Sequence, residues 1–166
     1  DLVINVNESV IQFKSSSLTK LRGTESFDVL TGTRRNKFIF GLGGDDLIST
    51  EEGKYRVWGG AGNDTITFGG MVGSAGGYNS EITGTINGGA GTDSIAMSNA
   101  STVVDADFTN VSNVETISYG NNNITLTLGA ESAEAGIVTI TDGTGNATVT
   151  IGAGHTNATT FAMSIT

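Results

Sequence analysis

Apolar residues recur along this chain with a period that suits strands and turns rather than helices. Within a nine-residue frame that opens at Gly23, Gly32, Gly41, Thr50 and Gly59, the eighth place is held by Leu30, Ile39, Ile48, Val57 and Ile66. Five large aliphatic residues in five frames predict a ladder of inward side chains on short strands, because alternate residues of a strand face opposite sides. With two half-turns to a coil, positions 18 apart share one edge of the stack and positions nine apart lie on opposite edges. The outward neighbours then differ between the two sheets. One shows Val29, Thr31, Leu47, Ser49, Thr65 and Thr67, and the other shows Phe38, Phe40, Arg56 and Trp58.

The turns between these strands carry the chemistry. GLGGDDLI from Gly41, GGAGNDTI from Gly59 and GGAGTDSI from Gly88 are near copies of one another. Their sixth place is an aspartate, and along the frame that place reads Asp28, Lys37, Asp46, Tyr55 and Asp64. Every second half-turn lacks its carboxylate, so the acidic positions gather on one edge and Lys37 and Tyr55 on the other. Gly59 and Gly88 are 29 residues apart, one coil of 18 plus an insertion of 11, which returns Asp93 to the acidic edge. The insertion is expected in residues 68–87, a Gly-rich loop with Gly69, Gly70, Gly73, Gly76 and Gly77, replacing a regular half-turn on the other edge.

Composition narrows the possibilities. The 166 residues include 25 Gly and no Pro, so Gly, Asn and Asp must make the turns. With no Cys and one His there is neither a disulfide framework nor a Cys/His zinc set. A formal charge of −9 argues against a nucleic-acid partner and against docking on an anionic membrane. No apolar run is long enough to span a bilayer, and no cleavable signal peptide is expected in a sequence that opens on Asp1. Surplus carboxylates beside glycine turns suit a hard cation: Ca²⁺ takes 6–8 oxygens from carboxylates, carbonyls and water, and glycine turns can aim carbonyls at one point.

These turns resemble the hemolysin-type RTX calcium-binding repeat, over about residues 23–96. The resemblance implies an all-β, right-handed parallel β-roll or β-solenoid with calcium-binding turns, unfolded export through a type I system, and folding on meeting external calcium. It implies a metal set of Asp28, Gly41, Gly43, Gly44, Asp46, Gly59, Ala61, Gly62, Asp64, Gly88, Ala90, Gly91 and Asp93. About three Ca²⁺ ions are expected, between the turns of Asp28 and Asp46, of Asp46 and Asp64, and of Asp64 and Asp93, all on one edge. The first turn lacks the fourth-place glycine and is the weakest of the set, and Asp45 reads as a solvated charge rather than a ligand. The alternative is a set of tight Gly/Asp turns without metal. On the other edge Arg34, Arg35, Lys37, Glu51, Glu52 and Lys54 read equally as ion pairs or as a solvated charge run.

The expected organisation has three parts: N-terminal strands over 1–22 packing on or capping the roll, the roll over 23–97, and a metal-poor β-solenoid continuation over 98–166. Residues 2–6 and 10–13 read as strands in the first part. In the last, residues 124–128, 137–141, 148–151 and 161–165 do so, and Phe108, Val111, Val114 and Ile117 place an apolar residue every third position. This last region also resembles, more weakly, segments of secreted surface-layer and adhesin-like proteins.

Catalysis has little material here: His155 reads as a turn histidine, no distinct carboxylate pair remains, and no enzyme is expected. The leading reading is a calcium-dependent structural module of a secreted, extracellular surface protein that assembles with itself or with other surface-protein subunits. A non-catalytic export, folding or polysaccharide-binding module of a secreted enzyme, toxin or adhesin is the alternative. The Phe38, Phe40 and Trp58 face is left to its own chain, a partner subunit or a glycan. In calorimetric titration, Asp46→Ala and Asp64→Ala are expected to lose more than one equivalent of Ca²⁺ and Lys37→Ala none; a loss on changing Lys37 would refute a one-edged metal column.

Overall fold

A computed structural model describes residues 11–13, 20–33, 38–50, 55–68, 84–97, 101–121, 123–141, 144–157 and 160–162. In chain order these residues form strands β1 (Ile11–Phe13), β2 (Lys20–Arg22), β3 (Asp28–Thr31), β4 (Phe38–Gly43), β5 (Leu47–Thr50), β6 (Arg56–Ala61), β7 (Thr65–Phe68) and β8 (Thr85–Ala90). They continue with β9 (Ser94–Ala96), β10 (Ser101–Val103), β11 (Val111–Ser112), β12 (Thr116–Ser118), β13 (Ile124–Leu128), β14 (Thr139–Thr141), β15 (Ala147–Ile151) and β16 (Thr160–Ala162). A single turn of 3₁₀ helix, Asp105–Phe108, precedes β11, and a short helix α1, Ala130–Ala135, follows β13.

Consecutive strands alternate between sheets and every described pairing is parallel, as a coiled chain requires. One sheet runs β1-β3-β5-β7-β9-β12-β14-β16 and a second runs β11-β8-β6-β4-β2. The first sheet stacks Leu30, Ile48, Ile66, Ile95, Ile117 and Ile140 in register. The second stacks Leu21, Ile39, Val57, Ile86 and Val111. All of these side chains are buried, and the two ladders meet to form the core. This is the parallel β-roll expected from the nine-residue frame. Strands β1 and β2 extend the two sheets by one strand each, since β1 pairs with β3 and β2 with β4.

One expectation needs correction. The insertion does not replace a half-turn, because Thr85, Ile86 and Asn87 are strand residues of β8, paired with Arg56, Val57 and Trp58. The extra length therefore lies before Gly84, mainly in residues outside the described set, and both sheets pass the insertion without a break. In the C-terminal part, expected as a β-solenoid continuation, the parallel stacking goes on with an added sheet. Past β9 a third sheet opens, ordered β10-β13-β15. At the other end of this region α1 packs on β11, so the last strand of the second sheet is covered rather than left as a bare edge. The core widens accordingly: Phe108, Val111, Val114 and Ile117, spaced by three in sequence, all turn inward with Tyr119, Leu126, Leu128 and Ile137.

Ile66 is fully buried at the centre of the longest ladder, between Ile48 and Ile95. Truncating it leaves a cavity that flanking strands, fixed by ladder hydrogen bonds, cannot close. Ile66→Ala is expected to lose about 2–5 kcal/mol of stability, measured by chemical unfolding, whereas Thr67→Ala on the same strand, facing outward, should lose under about 0.5 kcal/mol.

Candidate metal edge

The chain crosses from the second sheet to the first along one edge, and there the near-identical turns stack. Gly43, Ala61 and Ala90 are in register at the ends of β4, β6 and β8, and Leu47, Thr65 and Ser94 are in register at or just after the turns' exit. Six residues intervene between Asn87 and Ser94, and the same six-residue turn stands in the two coils before it. Its second and fourth places need positive φ: Gly60 at 125° and Gly62 at 123°, Gly89 at 118° and Gly91 at 138°, Leu42 at 88° and Gly44 at 95°. Gly60 shows why glycine prevails, since a Cβ there would also run into the Leu42 carbonyl. Leu42 is the one departure from glycine at that place.

Asp28, Asp46, Asp64 and Asp93 fall in one column on this edge, and all four are buried. Each of the last three bonds back to the preceding coil. Asp46 Oδ1 accepts the Asp28 amide N–H at 2.8 Å, Asp64 Oδ1 accepts that of Asp46 at 2.8 Å, and Asp93 Oδ1 accepts that of Asp64 at 2.8 Å. One further rung escaped the sequence reading: Glu115 Oε2 accepts the Asp93 amide at 2.7 Å. Its signal was only its place before the buried Ile117, in a stretch with no repeat motif.

The second oxygen of each carboxylate is the unusual feature. Asp46 Oδ2, Asp64 Oδ2 and Asp93 Oδ2 are buried with no hydrogen-bond partner, as are Asp28 Oδ1 and Thr50 Oγ1. A buried carboxylate oxygen left without a donor is costly, and the aspartate oxygens are placed where a cation would offset that cost. Their surroundings fit one. A Cβ on Gly41 would collide with both Asp46 Oδ2 and the Gly59 carbonyl, one on Gly59 with Asp64 Oδ2 and the Gly88 carbonyl, and one on Gly88 with Asp93 Oδ2 and the Asn113 carbonyl. Each glycine thus leaves a small oxygen-lined hollow between its own carboxylate and the coil that follows. Asp28 differs, because its Oδ2 accepts hydrogen bonds from the Thr24 amide and hydroxyl.

Among the described residues no three His, Cys, Asp or Glu side chains converge on one point. A cation here would draw on one or two carboxylates and otherwise on main-chain carbonyls, a hard-oxygen set that suits Ca²⁺ and not zinc. Asp45 lies outside the column. It is exposed, and its Oδ1 accepts the Asn63 amide at 2.7 Å, while Asn63 Oδ1 accepts the Thr92 amide at 2.7 Å. This outer ladder runs in the opposite direction and needs no ion.

The other edge is of a different kind. Tyr55, at the place that holds Asp46 on the metal edge, turns into the core, and its carbonyl accepts the Thr85 amide at 2.9 Å. Lys37 and the charges at residues 34–35 and 51–54 lie outside the described residues. His155 meets Ser132 Oγ at 3.2 Å, and Asp105 accepts the amides of Gly129, Glu131 and Ser132 at 2.7, 3.1 and 2.9 Å. These three residues were not associated in the sequence. They tie off the start of α1: Ser132 is fully buried and its hydroxyl donates to the Gly129 carbonyl at 3.0 Å. Burial alone raises the Asp105 pKa, but the amides and hydroxyl it faces hold it below the usual carboxylate range.

A family model for the RTX calcium-binding nonapeptide repeat matches residues 22–55 and 56–70, in four copies. No curated protein and no solved structure gives a significant match.

Burial pushes Asp46 up to about 7 and Asp93 up to about 6, from 3.8, and raises Asp64, with neighbouring carboxylates adding to each shift. The metal-free fold therefore keeps protons that the unfolded chain has released, and its stability falls as pH rises from about 4 to about 7. A cation replaces those protons, so its affinity falls as pH drops through the same carboxylate values. Thermal melts in chelator should show a higher midpoint at pH about 5 than at pH about 7.5, and melts in Ca²⁺ should reverse that order. A chelated protein that is more stable at the higher pH would contradict the buried-carboxylate account.

Proposed function

We propose that this chain, whose residues 22–70 match the model of the RTX calcium-binding nonapeptide repeat, is a calcium-dependent structural module of a secreted cell-surface protein, serving the assembly of a surface layer or matrix. The observation that carries the calcium dependence is the column of buried aspartates with one satisfied and one unpartnered oxygen each. Glycine turns carry a large ordering cost, and like charges stacked in one column add to it. External Ca²⁺ offsets both, so the chain orders where the ion is abundant and stays loose where it is scarce. The module is read as non-catalytic, since its Ser, His and Asp cluster is spent on a helix end.

Support for an assembly role comes from the outer face of the second sheet. Phe40 and Trp58, paired in register, stack with ring centroids 4.8 Å apart at 6°, and Phe38 extends the stack to Trp58 at 6.5 Å. Arg56 lies over the Phe38 ring at 5.6 Å, and Lys20 and Arg22 flank the same rings on β2. An aromatic strip edged by cations, on a chain of net charge −9, fits contact with the acidic surface of a like subunit. The same strip suits stacking on an anionic polysaccharide, which is the second reading.

Light scattering with and without Ca²⁺ separates them. Calcium should produce assemblies that chelator dissolves, and Trp58→Ala should abolish assembly while leaving calcium stoichiometry unchanged. A protein that stays monomeric with calcium yet is retained on an acidic polysaccharide column would replace the assembly reading with the second one.

A further inference from the structure

The repeat motif ends at Asp93, but the carboxylate column does not. Between the paired positions Asn87 and Ser112 and the paired positions Ser94 and Thr116, the six residues 88–93 are answered in the next coil by three, Asn113, Val114 and Glu115. The shortened turn keeps the features that matter. Asn113 takes positive φ, at 51°, with a side chain that tolerates it, and its carbonyl faces the Gly88 hollow as the Gly59 carbonyl faces the Gly41 hollow. Val114 is buried beneath the turn, and its amide is held by the Ala135 carbonyl of α1 at 3.1 Å. Glu115 restores the ladder contact with the Asp93 amide, its additional methylene reaching over a turn with fewer residues.

At the opposite end the hollow beside Gly23 is already served, because Thr24 donates to the Asp28 oxygen that faces it. The corresponding oxygen of Asp93 is fully buried and has no partner. We infer that the cation column is displaced one coil toward the C-terminus, so that its last site is built from Asp93, Glu115 and the Asn113 carbonyl, beyond the repeat itself, and takes Ca²⁺. This rests on the calcium reading of the repeat and adds to it a site that no nonapeptide supplies on its far side. The ion there joins the two-sheet roll to the three-sheet region, since Glu115 also receives the Val138 and Thr139 amides on its carbonyl, both at 2.9 Å.

The test is calorimetric titration of the intact chain with Ca²⁺, alongside Glu115→Gln and Asp28→Asn. Glu115→Gln keeps an oxygen for the Asp93 amide and removes only the charge. It is expected to lose one equivalent, and Asp28→Asn none. Thermal melts provide a second readout: the rise in midpoint that Ca²⁺ gives over chelator should shrink in Glu115→Gln and persist in Asp28→Asn. Unchanged stoichiometry and an unchanged calcium increment in Glu115→Gln would overturn the inference. So would a loss in Asp28→Asn alone, which places the column at the earlier coil. If the unmodified chain binds no Ca²⁺, the calcium reading itself fails, a result distinct from either.

Discussion

The structure turns on a carboxylate that is half satisfied. One oxygen each of Asp46, Asp64 and Asp93 accepts an amide from the coil before it, which fixes the height and register of turns that are otherwise flexible glycine. The same contact draws the side chain out of water and leaves the second oxygen facing a hollow between coils. Stacking and charge are therefore coupled: the contact that orders the roll creates the site that needs a cation. Without a cation, burial and neighbouring carboxylates push the aspartates toward protonation, so protons or metal ions add to the stability of the ladder.

The C-terminal region shows how the same chain stacks coils without this device. Asn121 Oδ1 accepts the Thr144 amide at 3.0 Å and Asn123 Oδ1 accepts the Asn146 amide at 2.9 Å, one coil apart. An amide side chain gives the register contact of an aspartate but carries no charge, so nothing has to be neutralised. Coil length changes with the device. Ile117 and Ile140 are 23 residues apart, against 18 for Ile48 and Ile66, and the longer coil holds β13 and α1 between β12 and β14. The helix is held by Asp105 from the coil before, so again a carboxylate spans adjacent coils, here fully served by amides and needing no ion.

What could be read from the residues follows from how local the signals are. The inward ladder and the aspartate column were legible because the nine-residue frame repeats both within a few coils, and each side chain's face depends only on strand alternation. Glu115 was not legible. Its role depends on a turn of three residues stacking on one of six, a relation set by β11 and β12 pairing rather than by any motif. The third sheet was missed because strands alternating between two sheets and strands alternating among three have the same apolar pattern. The helix α1 lies in AESAEA, bounded by Gly129 and Gly136, a composition that favours helix but is too short to outweigh the surrounding strand pattern.

The metal edge and the aromatic face are parts of the same strands. β4 runs from Phe38 through Phe40 to the turn glycines, and β6 from Arg56 through Trp58 to Gly60 and Ala61. The stacking of Phe40 on Trp58 requires the two strands to be in register, and the turn at their end is where register is locked, by Asp46 to Asp28 and by Asp64 to Asp46. A cation held by those carboxylates would therefore support the register of the ring stack from six residues away along each strand, Phe40 to Asp46 and Trp58 to Asp64, without touching it. Under the proposed function, calcium at the edge and recognition at the aromatic face would be coupled through strand register.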